Sequence, residues 1–314
     1  MSFFKRIGYF IITNILVVLT ISLILGILGA FFGVNLGGAG YGGLFILCLI
    51  WGFAGAFISL QLSRWMAKRM YGVQVISPQT MNQTERNLLM TVHSLARKAG
   101  LERMPEVGIY ESPETNAFAT GPSKKRSLVA VSSGLLHTMS ETELEGVLAH
   151  EITHITNGDM VTLTLIQGVV NSFAMFLAHI ITSLVMNAFR RNDNDRPGFG
   201  DFMLRQMIYS FVSIAFTLLG SIVVCYFSRK REFRADAGGA RISSTERMAG
   251  ALLKLQTIHQ LGPAQVKDDT QTDANRFDAF KISGNKKSFS GLFATHPPLE
   301  ERLAALKNKT YAAV

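Results

Sequence analysis

The chain alternates between long stretches without charge and shorter polar stretches of mixed periodicity. From Ile7 to Ser63 there is no charged residue, and a glycine-rich break around Gly37–Gly43 divides the stretch into two apolar runs. They hold about 25 and about 20 residues, each enough as a helix to cross a hydrocarbon core of about 30 Å. A second pair follows. Val161–Phe189 is uncharged but interrupted by Gln167, Asn171 and His179, and Gln206–Phe227 is a cleaner apolar run. Their short polar link carries Arg190, Arg191, Asp193, Asp195 and Arg196. The pattern predicts two apolar helical hairpins. The second either spans or dips in and packs on protein, because polar groups inside a membrane need partners.

The remainder, residues 63–160 and 228–314, is polar enough to meet water. Leu88, Leu89, Val92, Leu95 and Ala96 recur at helical spacing, which predicts a helix over Thr84–Lys98. Glu106–Tyr110, Ala117–Thr120 and Ser127–Ser132 read as short strands separated by turn residues such as Ser112, Pro113, Gly121 and Pro122. Three such strands beside helices predict a small sheet. Gly262–Gly291, rich in Asp, Lys, Gln and Asn, is expected to be a surface loop. The organisation is therefore a transmembrane hairpin (1–62), a first polar part (63–160), a second apolar hairpin (161–227) and a second polar part (228–314). The fold class is a mainly α membrane protein with an α+β polar portion.

Composition agrees with this reading. Hydrophobic residues make up 48% of the 314 and charged residues 17%, below the roughly 25% charged of ordinary soluble domains. Cys48 and Cys225 both lie in apolar runs, so no disulfide framework is available. The net charge of +9 raises the question of nucleic acid. Basic residues, however, cluster beside the apolar runs: Lys5 and Arg6, then Arg64, Lys68 and Arg69, then Arg229, Lys230 and Arg231. That is the positive-inside pattern of a multi-pass membrane protein, with a lipid bilayer as its partner and both polar parts on the cytoplasmic side. A nucleic-acid reader would instead interleave a basic stripe with aromatics on a folded domain.

The chemistry concentrates at His150-Glu151-Ile152-Thr153-His154. Ser140 and Glu143 have the spacing of a capping box upstream, and Gly158 is a natural stop downstream. On the helix so delimited, His150 and His154 share a face. Both imidazoles can point at one zinc ion, with Glu151 beside it to take a proton from activated water. By chance, HExxH arises in under about one chain in a hundred of this length. A catalytic zinc needs a third protein ligand. The best candidate is Glu232, about 80 residues beyond His154, with the second hairpin between them. A hairpin returns the chain to the membrane face it left, so the two residues can meet, whereas a single span would part them. Asp236, four residues after Glu232, is placed to accept a hydrogen bond from a ligand imidazole.

HEITH followed by Asn157-Gly158-Asp159, then Glu232-Phe233-Arg234-Ala235-Asp236 and Thr295-His296-Pro297-Pro298, together resemble the bacterial HtpX family. These are integral-membrane zinc metallopeptidases related to the eukaryotic CAAX prenyl proteases. The resemblance covers nearly the whole chain. It implies a zincin-like catalytic domain binding one Zn2+ through His150, His154 and Glu232, with Glu151 as general base. It further implies that Asn116, Ala117, Phe118 and Ala119 border the cleft on an edge strand that aligns substrate by strand addition. His296 would assist the oxyanion. The family is associated with quality control of membrane proteins in the bacterial inner membrane, as part of stress responses. Membrane proteins with cytoplasmic loops are the expected substrates, and self-cleavage is a further expectation. His93, His137, His179 and His259 have no partner at metal spacing and are expected to be structural. The same residues would serve a narrow-specificity processing protease. A zinc-binding scaffold without turnover would have no need of Glu151, and a transporter would want more polar residues deep in its spans. Nothing in the sequence sets the oligomeric state.

Overall fold

The computed structural model describes residues 40–189, 198–261 and 293–308. The first apolar run, the link 190–197 and the Gly262–Gly291 stretch lie outside the described residues. The described residues are mostly helical, with three long apolar helices and one small mixed sheet among them. It divides into two compact units, one built from residues 60–162 with 225–261 and 293–308, the other from 40–59, 163–189 and 198–224.

The apolar helices are α1 (Gly40–Met70, 31 residues), α5 (Asp159–Phe189, 31 residues) and α6 (Phe199–Ile242, 44 residues). At 1.5 Å per residue even the shorter ones reach about 46 Å, beyond the roughly 30 Å of hydrocarbon. Within the apolar unit, α5 and α6 run antiparallel: His179 packs on Tyr209 with ring centroids 4.5 Å apart and planes tilted by 39°, and Val170 sits against Gly220. Phe45 of α1 meets Phe173 and Phe176 of α5 edge-on at 5.8 and 5.1 Å.

The polar unit is built around the sheet, in the order β1-β2-β4-β3. Its strands are β1 (Gln74–Val75), β2 (Glu106–Tyr110), β3 (Ala117–Ser123) and β4 (Arg126–Ser132). β4 runs parallel to β2 and antiparallel to β3, so β3 is an edge strand. Central β4 is buried along Ser127–Ser132, with the continuous apolar run expected of a strand covered on both faces. Successive side chains divide between two clusters as the pleat requires. Val129 and Val131 join Leu88, Val92 and Leu95 of α2 (Gln83–Lys98) and Leu148 and Ile152 of α4 (Glu141–Asn157). Leu128 and Ala130 face Tyr110, Phe118, Ala67 and Val73 on the other side.

Local chemistry sets the helix ends. The Asn82 side chain accepts from the amides of Thr84 and Glu85 to start α2. Short α3 (Ser133–Thr138) follows β4. Ser140 and Glu143 form a reciprocal capping box at the start of α4. Gly158 closes α4 in the left-handed region, φ 73°, donating its N–H to the carbonyls of His154 and Ile155. α7 (Thr245–Leu261) and α8 (Leu299–Asn308) complete the unit and close its core with Met248, Leu252, Leu299, Leu303 and Leu306.

Candidate metal centre

Three polar side chains meet inside the polar unit. His150 and His154 project from one face of α4, and Glu232 comes from α6, just past the apolar stretch that ends at Phe227. The helices approach closely because Gly238 and Gly239 of α6 lie over Thr153 and over the Ala149–His150 backbone. Side chains on α6 at these two positions would hold the helices apart.

The Nε2 atoms of His150 and His154 are 3.0 Å apart. His150 Nε2 lies 3.3 Å from Glu232 Oε2 and His154 Nε2 lies 3.4 Å from Glu232 Oε1. These three residues could hold a metal ion. A tetrahedral ion with ligand bonds of about 2.0–2.1 Å needs ligand atoms about 3.3 Å apart, and the observed triangle is close to that. Glu232 is fully buried, yet neither of its oxygens has an aligned hydrogen-bond donor among the described residues. An unsatisfied buried carboxylate is costly, and a cation held between it and the imidazoles removes that cost. Two neutral imidazoles and one carboxylate are also a donor set that zinc accepts.

The other nitrogens of the two imidazoles are engaged. His150 Nδ1 is 2.8 Å from Asp236 Oδ1, and His154 Nδ1 is 2.6 Å from Asp159 Oδ2. Each carboxylate fixes its ring with Nδ1 protonated and Nε2 turned toward the shared centre. Arg302 of α8, 1% exposed, binds Asp236 at two points, with Nη2 2.6 Å from Oδ1 and Nε 2.8 Å from Oδ2. Its Nη1 is 3.6 Å from Glu232 Oε2.

Charge state follows from these neighbours. Burial opposes a proton on His150, but its hydrogen bond to Asp236 and the adjacent Glu232 outweigh it, pushing the imidazole up to about 9. His154 is raised as well, the Glu232 and Asp159 carboxylates overcoming burial. Burial raises Glu232, yet His296 and His154 hold it well below the usual carboxylate range. Asp236 is lowered against burial by Arg302.

The remaining residues singled out in the sequence fall as follows. Glu151 is buried on α4 beside His150, 5% exposed. His296 Nδ1 lies 2.8 Å from Glu232 Oε2. Asn116 stands at the start of edge strand β3. Its N–H donates to Ser132 Oγ at 3.1 Å and its carbonyl accepts from the Ser132 amide at 2.9 Å. Its described hydrogen bonds do not reach the His150–Glu232 cluster. Ala117, Phe118 and Ala119 continue along β3, with Ala117 packed in the cluster that includes Ala149 and Ile152 of α4 and Phe118 on the opposite face. Of the histidines expected to be structural, His93 meets Pro105 O at 3.2 Å.

Two members of the site carry no assigned part in the sequence reading. Asp159 stands next to the capping Gly158, but nothing local shows that it turns back to His154. Arg302 had a signal: it falls on the stripe of Leu299, Leu303 and Leu306, where a lone charge requires a buried partner.

The chain matches the family described as Peptidase family M48 over residues 82–310. It is similar to Protease HtpX of Aeromonas salmonicida, 50% identical over 303 residues that cover 96% of this chain and 99% of that protein. It is also similar to Protease HtpX of Shewanella oneidensis, 48% identical over 305 residues covering 97% and 100%. Among solved structures it resembles the crystal structure of S. mikatae Ste24p, with a TM-score of 0.56 and 18% identity. That likeness covers 94% of this chain and 65% of the other, and it concerns the fold.

Proposed function

The chain belongs to peptidase family M48 and is a membrane metalloprotease, and from that premise we propose that it is a zinc-dependent endopeptidase using His150, His154 and Glu232 as ligands and Glu151 as general base. The observation that carries this is the buried triangle of ligand atoms at 3.0–3.4 Å around an unsatisfied Glu232 carboxylate. Bound zinc supplies a Lewis acid that polarises the scissile carbonyl and makes water nucleophilic near neutral pH.

The protein's own groups do the rest. Glu151 accepts a proton from the attacking water and delivers it to the amine nitrogen as the peptide bond breaks. Asp236 and Asp159 hold the two imidazoles in register, and Arg302 holds Asp236. His296 keeps Nδ1 against Glu232, which leaves its Nε2 edge to face the carbonyl oxygen as that oxygen gains charge. Edge strand β3, from Asn116 through Ala119, aligns an extended substrate by strand addition.

The catalytic part comprises 63–160 and 228–314, and the apolar segments anchor it in the bacterial inner membrane. Arg64, Lys68, Arg69, Arg229, Lys230 and Arg231 beside those segments support a cytoplasmic catalytic part. Substrates are membrane proteins that expose unfolded cytoplasmic segments, because the ligand-bearing sequences run directly into the apolar helices.

The test compares the purified wild type with Glu151→Gln, each stripped and reloaded with zinc, for metal content and cleavage of an unfolded protein. One zinc per chain in both, with cleavage by wild type alone, is the expected result. Wild type that takes up no zinc would remove the ligand assignment, and a Glu151→Gln variant that cuts normally would remove the base.

A further inference from the structure

We infer that Arg229 is a positioning residue for His296, holding the segment that carries this histidine against α6. The inference rests on the role proposed for His296 above. Four contacts tie the C-terminal segment to a single face of α6. The Cys225 thiol donates to Phe293 O at 3.3 Å, and Arg229 Nη1 donates to Ala294 O at 2.8 Å. Further along the helix, Glu232 meets His296 and Asp236 meets Arg302. The four α6 positions are spaced by four, three and four residues, so they line one helix face, and their partners 293, 294, 296 and 302 follow in the same order.

The segment needs this help. Among the described residues, Phe293–Pro297 makes no backbone–backbone hydrogen bond to a neighbouring element. Pro297 and Pro298 have no N–H to offer. Pro297 also restricts His296 to extended conformations, which fixes the backbone shape of the histidine but not its location. Location is set by side chains capturing carbonyls. Two of the four contacts are made by His296 and Arg302 themselves at the metal centre, and a thiol is a weak donor. The charged, half-buried Arg229 is therefore the main anchor outside the centre, and the carbonyl it grips, Ala294, lies two residues upstream of His296.

The experiment uses the full-length protein in detergent, with Arg229→Met, Arg229→Lys, His296→Ala and the double variant Arg229→Met/His296→Ala. Hydrogen exchange of a peptide spanning 293–303, in which the Glu301 and Arg302 amides donate to Pro298 O, is measured on zinc-free protein and reads placement independently of activity. Arg229→Met is expected to speed that exchange and to lower kcat by ten- to a hundredfold, the cost of a misplaced group, with KM and zinc content unchanged. Arg229→Lys retains a donor and recovers most of both. The double variant is expected to lose no more than His296→Ala alone, since a histidine already absent cannot be mispositioned. Unchanged exchange in Arg229→Met, or losses that multiply in the double variant, would overturn the inference. Full activity in His296→Ala would instead overturn the role given to His296, and exchange would still decide whether Arg229 holds the segment. Should Arg229→Met fail to accumulate, Cys225→Ala removes the weaker anchor and is expected to shift exchange in the same direction; no shift would count against the inference.

Discussion

Arg302 grips Asp236 through two parallel hydrogen bonds, and Asp236 in turn holds His150 by Nδ1. The guanidinium and carboxylate are both out of water, at 1% and 2% exposure. Removing one member of a buried pair leaves the other uncompensated, at a cost of about 3–5 kcal/mol. Arg302→Met is expected to destabilise the zinc-free protein by that order, read as a lowered denaturation midpoint. Arg302→Lys keeps the charge but lacks the planar fork and is expected to recover only part of it.

Asp159 does for His154 what Asp236 does for His150, from the first turn of the next helix and, among the described residues, with no guanidinium bound to it. Asp159→Ala is expected to weaken zinc affinity about 10–100-fold, measured by competition with a chelator. Asp159→Asn keeps an acceptor oxygen and is expected to lose less. Equal losses in the two would mean that the residue acts by charge rather than by fixing the ring.

The physical reason these partners differ in visibility is range. Ser140, Glu143 and Gly158 act on atoms within a few residues of themselves, so the bounds of α4 could be read directly, and so could the facing of His150 and His154. Strands β2, β3 and β4 announced themselves through β-branched and apolar runs between turn residues. β1 did not: two exposed residues, Gln74 and Val75, have no periodicity and exist as a strand only because β2 offers its edge. Arg302 lies 66 residues from Asp236 and 152 from His150. No local pattern encodes such a meeting; only the misplaced charge among Leu299, Leu303 and Leu306 hinted at it.

Proton and metal compete for the same imidazoles, which sets a pH dependence. His150 is raised to about 9 in the metal-free site, so its contribution to stability is fully present below the unfolded value of about 6.5 and is lost as pH rises through 9. Glu232 and Asp236 are lowered, so their contribution is present above the unfolded carboxylate range and is lost as pH falls through their folded values. Zinc-free protein is therefore expected to be most stable between about pH 4.5 and 6.5. Zinc binding must expel the proton, so affinity is expected to rise from pH 6 to about 9 and then level off. Chelator-buffered titrations across this range would check both the slope and the plateau, and an affinity independent of pH between 6 and 8 would contradict the protonated resting state.

Glu232, the proposed third ligand, reaches the two imidazoles because α6 can lie directly on α4, and Gly238 is where it does so. A Cβ at Gly238 would run into the Thr153 side chain, whose hydroxyl already bonds to Ala149 O at 2.9 Å and so cannot easily turn away. Gly238→Ala is expected to push the helices apart by a few tenths of an ångström or more, opening the 3.3 and 3.4 Å separations between Glu232 and the imidazoles. Zinc affinity should fall at least tenfold and the zinc-free protein should lose roughly 1–3 kcal/mol, the usual cost of overpacking. Gly250→Ala in α7 is the control: nothing lies within 4 Å of a Cβ there, so the alanine should raise stability by up to about 1 kcal/mol through helix propensity and leave zinc affinity unchanged. If Gly238→Ala bound zinc as tightly as wild type, close approach of the two helices would not be what sets the geometry of the centre, and the placement of Glu232 would have to come from its neighbours His296 and Arg302 instead.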